Sequence, residues 1–164
     1  MIDFFNNKAK LELLAPLTGT IVKLSEVPDQ IFSAKTIGEG IAIKPSENIL
    51  VAPIKGVIEQ LFSTKHALRI KTELGVEILI HLGINTVKLK GKGFENIAEQ
   101  GDRINPGDKL IKFDADYMSD DEISMVTPII LINREKIDDF EVTDTKKVIA
   151  GKDKILRFSL QNSS

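Results

Sequence analysis

Ala67–Leu82 reads ALRIKTELGVEILIHL. Two aliphatic runs, ALRIKT and VEILIHL, flank a short Glu73-Leu74-Gly75 segment, and this is the signature of two antiparallel strands joined by a hairpin connection. Working outward, the same kind of run recurs along the chain: GTIVKL, IFSAKTI, GIAIKP, NILVAP, GVIEQLF, DKLIKF, PIILIN, KKVIA and ILRFSL. Gly, Pro, Asn and Asp punctuate these runs, and no stretch sustains a 3.6-residue period. We therefore expect an all-β fold, with this many strands a sandwich or a barrel. Helix is expected only as one or two short turns, in FENIAEQ after GKG and in the acidic DADYMSDDEIS. The expected organisation is a flexible N-terminal segment over residues 1–10 and a single domain over 11–164.

Composition narrows the function classes. The chain has 164 residues, 42% of them hydrophobic and 28% charged, which suits one globular domain with a real core. A net charge of -2 gives no basic field for nucleic acid. With no cysteine, disulfides, thiolate metal sites and cysteine nucleophiles are excluded. No run approaches the roughly 20 apolar residues of a membrane span, so direct membrane insertion is not expected. The N-terminus lacks the apolar core of a secretion signal, and we expect a cytoplasmic protein. The initial Met and the polar ending LQNSS lead us to expect a free-standing chain.

An internal echo is visible: APLTGTIVKL from Ala15 and APIKGVIEQL from Ala52 share Ala, Pro, Gly, Ile and Leu in register. EQGDRINPGDKLIKF adds a polar turn between Gly101 and Gly107 of the kind found where strands change sheets. Biotinyl and lipoyl carrier domains look similar in such turns. They present a modifiable lysine, typically within Met-Lys-Met, and no methionine here has that neighbour.

The chemistry must come from few groups, because His66 and His81 are the only histidines. With the hairpin centred between Glu73 and Leu74, His66 is expected opposite His81 and Leu68 opposite Leu79, on one face. A shift of half a residue would make the imidazoles offset neighbours. HExxH, G-x-S-x-G, Walker and GxGxxG patterns are all absent, which leaves little support for metallohydrolase, serine-hydrolase or nucleotide chemistry. Two imidazoles suit reversible phosphoryl transfer: one neutral ring attacks phosphorus, and the other holds the incoming oxygens. Thr64 adds a hydroxyl two residues upstream of His66. A regulatory or protein-binding β-module without catalysis is the alternative.

The motifs APLTGTIV, VPDQIF, IGEGIAIKPSENILVAPIKGVIEQLF, TKHAL, GVEILIHLGINTVKLKGKGF and TPIILIN resemble those of glucose-type enzyme IIA of the bacterial phosphoenolpyruvate-dependent sugar phosphotransferase system. The likeness runs from about Leu14 to Leu160 and implies an antiparallel β-sandwich of the barrel-sandwich kind. It implies that His81 is the phosphoacceptor, His66 the phosphate-stabilising partner and Thr64 the hydroxyl that orients His66. It also implies an apolar docking rim of Phe32, Phe62, Leu68, Leu79 and Leu82, with Gly83 keeping the approach open. Asp29 is the expected acidic contact to partners; Asn85 stands where the family often has Asp, and Leu68 and Leu82 where it often has Phe. The implied partners are HPr, the IIB domain of a membrane sugar permease, and regulated metabolic enzymes or permeases. No cofactor is required, although zinc shared between His66, His81 and a partner carboxylate occurs in some relatives.

Overall fold

The protein is described by a computed structural model covering residues 10–116 and 122–161. Residues 1–9, which make up nearly all of the expected flexible segment, lie outside that range, and Lys10 already opens the first strand. Of the acidic stretch from Asp114 to Ser124, residues 117–121 also lie outside.

In chain order the strands are β1 (Lys10–Leu14), β2 (Gly19–Lys23), β3 (Glu39–Pro45), β4 (Ile49–Val51), β5 (Gly56–Leu61), β6 (Ala67–Lys71) and β7 (Glu77–His81). They continue with β8 (Phe94–Asn96), β9 (Arg103–Ile104), β10 (Lys109–Phe113), β11 (Thr127–Leu131), β12 (Ile137–Val142), β13 (Lys147–Val148) and β14 (Lys154–Leu160). One short helix, α1 (Gln30–Ser33), and three 3-10 turns complete the described elements. All pairings are antiparallel. The large sheet runs β13-β2-β3-β11-β7-β6-β5-β9, and two three-stranded sheets run β1-β14-β12 and β4-β10-β8. The expected all-β antiparallel class is the observed one.

Strand alternation sorts the side chains. In β7, Ile78 and Ile80 are fully buried, whereas Glu77, Leu79 and His81 are only partly covered. The inward residues of all three sheets meet in one core that includes Leu13, Leu50, Ile70, Ile78, Ile80, Ile111, Leu156 and Phe158. A second, smaller cluster of Leu24, Val27, Phe32, Ala42, Ile84 and Ile130, with Leu79 packed against it, lies apart from that core. Burying both clusters removes a large apolar area from water, which is the main force holding the sheets together.

The internal echo has a structural meaning. Leu14 N–H donates to Pro53 O at 2.9 Å and Val51 N–H to Pro16 O at 2.8 Å, so the two copies are tied to each other. Each copy also closes a corner in the same way. Ala15 donates to Asp153 O and accepts from Gly151, while Ala52 donates to Asp108 O and accepts from Gly107. The turns INPGDK and IAGKDK are thus a second repeated pair, each with an Asp side chain accepting from the backbone three or four residues back.

Several local expectations are corrected. IFSAKTI does not form a strand. Asp29 caps α1 through a hydrogen bond from Ile31 N–H at 2.9 Å, and Lys35 leaves the turn at φ 59°. FENIAEQ is not helical: Phe94–Asn96 pairs with β10 as β8, because Phe94 is needed in the core. Strand β12, with Asp138, Asp139 and Glu141, has too many acids to read as a strand, yet its pairing with β14 needs only Ile137 and Phe140 to face inward.

Truncating Ile78 to Ala should cost about 2–5 kcal/mol by leaving a cavity in the core. Lys71→Ala, on the exposed side of the neighbouring strand, should stay within about 0.5 kcal/mol. Urea unfolding of both variants checks the assignment of faces.

Candidate functional site

His81 ends β7 on the partly covered side of that strand. The register of the hairpin is Ala67↔His81, Leu68↔Ile80, Arg69↔Leu79 and Ile70↔Ile78, displaced by one residue from the sequence expectation. His66 therefore sits opposite Leu82, whose N–H donates to His66 O at 2.6 Å. The two imidazoles still meet, with ring centroids 4.9 Å apart and planes at 79°. The reason is that His66 precedes β6, directly after Lys65 at φ 61°, so the two-residue alternation of the strand does not govern its side chain.

The displaced register has consequences for the expected rim. Leu68 and Leu82 are 1% and 0% exposed and belong to the main core, so they offer no docking surface. Alternation alone places them there, since they lie on the face of Ile70, Ile78 and Ile80. Leu79 is half-buried beside the second cluster. Phe32 is buried in that cluster, but its ring lies 5.0 Å from His81. Phe62 stands edge-on to His66 at 5.8 Å and remains partly exposed. Sequence reasoning missed two exposed apolar side chains close by in the chain: Ile31 on α1, 57% exposed, and Val87 in the 3-10 turn Thr86–Leu89, 51% exposed. Recognising Pro28-Asp29 as a helix start would have pointed to Ile31.

Backbone geometry fixes the His81 ring. His81 Nδ1 lies 2.7 Å from Gly83 O. A carbonyl can only accept, so Nδ1 carries the proton and Nε2 presents its lone pair. Gly83 adopts φ +74°, and a Cβ there would lie 2.6 Å from Thr86 Cγ2 and 2.7 Å from Ser124 O. That corrects the expected role of the glycine. The missing side chain would point into the protein, and what Gly83 supplies is the left-handed turn that aims its carbonyl at the imidazole. Its own N–H is held by Thr127 Oγ1 at 3.2 Å. Thr64 Oγ1 lies 2.5 Å from His66 Nδ1, so Nε2 of the second ring is also the free nitrogen.

Burial sets the protonation state. His66 is pushed down to about 4, first by desolvation and then by the neighbouring His81, while a hydrogen bond to Thr64 opposes the shift. His81 is also lowered by burial, opposed by its bond to Gly83 and by the charge of Asp29. Both rings are neutral near pH 7. Asp29 therefore acts on the site from the N-cap of α1, with one oxygen engaged by Ile31 N–H. Asn85 is exposed at φ 64° and donates from Nδ2 to Glu122 O at 2.8 Å, a bond that an aspartate could not make. Among the described residues there is no group of three or more His, Cys, Asp or Glu able to hold a metal ion. Zinc would find two imidazoles here and would need its remaining ligands from a partner.

The chain is similar to a group of known proteins over most of its length. The family model for the phosphoenolpyruvate-dependent sugar phosphotransferase system, EIIA 1, matches residues 11–137. The glucose-specific EIIA component of Staphylococcus epidermidis is 41% identical over 146 residues, covering 89% of this chain and 88% of that protein. That of Borreliella burgdorferi is 37% identical over 183 aligned positions, covering 95% and 97%. The solved structure of glucose permease IIA from Mycoplasma capricolum superposes with a TM-score of 0.87 at 38% identity, covering 95% of this chain and 99% of that one.

The lowered histidine values predict a pH response. Because the folded pKa of His66 lies below its ordinary 6.5, the unfolded chain binds the proton first, and stability is lost as pH falls from 6.5 toward 4. The loss should reach roughly 3 kcal/mol and should largely disappear in His66→Gln. NMR titration of the imidazole protons should show His66 unprotonated at pH 6.5 and His81 less protonated than an ordinary histidine, which is half charged there.

Proposed function

The chain belongs to the phosphoenolpyruvate-dependent sugar phosphotransferase system EIIA 1 family, whose members are phosphocarriers, and from that premise we propose that His81 is the residue that carries the phosphoryl group. The observation that supports this reading most is the bond from His81 Nδ1 to Gly83 O, which leaves Nε2 as a neutral nucleophile beside a second neutral imidazole. The donor is the phosphohistidine of HPr. Its P–N bond breaks as the bond from phosphorus to His81 Nε2 forms, and the donor imidazole takes the electron pair.

His81 keeps its Nδ1 proton on the Gly83 carbonyl during the transfer, so the phosphorylated ring is held as a phosphoimidazolium. That form is a good leaving group for the next step, in which the IIB domain of a sugar permease receives the phosphoryl group. His66 serves the phosphoryl oxygens. With Thr64 donating its hydroxyl proton to Nδ1, His66 Nε2–H points at the site and donates a hydrogen bond that strengthens as charge shifts in the loose transition state. Such a reaction needs alignment and charge stabilisation more than bond-making groups.

Both partners would use one surface, to which we assign Phe62 at the His66 ring, Leu79 on the His81 side of β7 and the exposed Ile31 and Val87. Asp29 would meet basic partner residues and speed encounter. The cycle runs in the cytoplasm. No described helix is long and apolar enough to cross a membrane. Zinc held by both Nε2 atoms and a partner carboxylate, and binding to regulated enzymes or permeases, would draw on the same surface.

Incubation with phosphoenolpyruvate, the first general enzyme of the system and HPr should place acid-labile phosphate on His81. His81→Ala should abolish the label without unfolding the chain; equal labelling of that variant would refute the assignment. His66→Gln should still accept phosphate but pass it to IIB at least about tenfold more slowly, because Gln donates to an oxygen without the imidazole's geometry. Thr64→Val should share part of that defect, measured as the rate of sugar phosphorylation.

A further inference from the structure

Strands β6 and β7 carry an ionic pair beside the histidines that the transfer chemistry above leaves unused. Arg69 lies opposite Leu79, and Ala67 lies opposite His81, so Arg69 is the diagonal cross-strand neighbour of His81. Alternation puts Arg69, Leu79 and His81 on one face of the sheet. A diagonal pair has Cβ atoms roughly 7–8 Å apart, which a long side chain spans.

The arginine is held loosely. Its Nε is 3.7 Å from Glu77 Oε1, longer than a hydrogen bond, and this nitrogen is buried with no hydrogen-bond partner. A buried donor left unpaired is costly, so this arrangement gains from any acceptor that comes within reach. Phosphorylation of His81 would supply one. The groups already placed around that ring are a neutral imidazole, a threonine hydroxyl and the carboxylate of Asp29, none of which neutralises a phosphoryl dianion. Lys65, the cation next to His66 in sequence, directs its side chain toward Gly91.

We propose that Arg69 is a phosphoryl-positioning residue that turns from Glu77 to the phosphoryl oxygens when His81 is phosphorylated. The proposal rests on His81 being the phosphoacceptor. The guanidinium pairs with two oxygens of the dianion by charge-assisted hydrogen bonds. Glu77 retains the arginine in the unphosphorylated state and so competes with the phosphoryl group. Arg69 thereby sets how far the transfer from the donor proceeds, and Glu77 opposes it.

The test is the equilibrium constant for phosphoryl exchange between phospho-HPr and the full chain, read as the phosphorylated fraction of each on a phosphate-affinity gel. In Arg69→Gln the constant should fall roughly three- to tenfold, with the loss shrinking as salt rises. Arg69→Lys should retain most of it, and Glu77→Gln should raise it. An unchanged constant in Arg69→Gln overturns the proposal. So does a fall in both Arg69→Gln and Glu77→Gln, which would mean that the pair only supports the strands. Wild-type chain that takes no phosphate on His81 overturns the phosphoacceptor reading itself, whereas labelled wild type with an indifferent Arg69→Gln overturns only the role of the arginine.

Discussion

The hydrogen bond from His81 Nδ1 to the Gly83 carbonyl is the constraint on which the site depends. It decides which ring nitrogen has a lone pair, and it requires the backbone to turn left-handed two residues after the strand ends. That turn is itself fastened: Thr127 holds the Gly83 N–H, Thr86 Oγ1 donates to Leu82 O, and Ile84 exchanges backbone bonds with Ser124. The loop following His81 is thus ordered by buried polar contacts rather than by side-chain packing alone. In the transfer proposed above, pre-organisation of this kind lowers the cost of aligning the reacting groups.

Burial does the complementary work. Phe32 and Phe62 flank the two rings, and the resulting low-polarity setting holds both imidazoles uncharged. An uncharged pair can stand 4.9 Å apart without repulsion, whereas two imidazolium ions could not. The surroundings that keep His66 and His81 uncharged at neutral pH also make the site intolerant of acid.

Much of the fold was legible because strand signals in this chain are local: Ile78 and Ile80 alternate with Glu77, Leu79 and His81, and turn residues bound most runs. The elements that escaped have the opposite character. β12 has charges at half its positions, β8 looks helical in isolation, and α1 is only four residues long and rests on one capping bond. For the site, the two histidines were legible because the chain has no others. The hairpin register was not, since a turn of this length admits centres half a residue apart, and that ambiguity carried Leu68 to the wrong face, whereas Leu82 entered the expected rim through the family resemblance. Strict alternation from Ile78 and Ile80 already placed Leu82 inward. The meeting of His66 with His81 depends on the left-handed Lys65, a conformation that a lysine side chain does not advertise.

The paired corners bear on how this molecule can change over time. Each is sealed by main-chain hydrogen bonds around an alanine, Ala15 or Ala52, and a glycine turn, and a Cβ added at Gly151 would lie 3.4 Å from Gly107 Cα of the other turn. No residue of the histidine site takes part. These corners are therefore fastened largely through main-chain atoms, and the histidine pair through a few side chains elsewhere, so substitutions around the rings leave untouched the way the chain closes on itself.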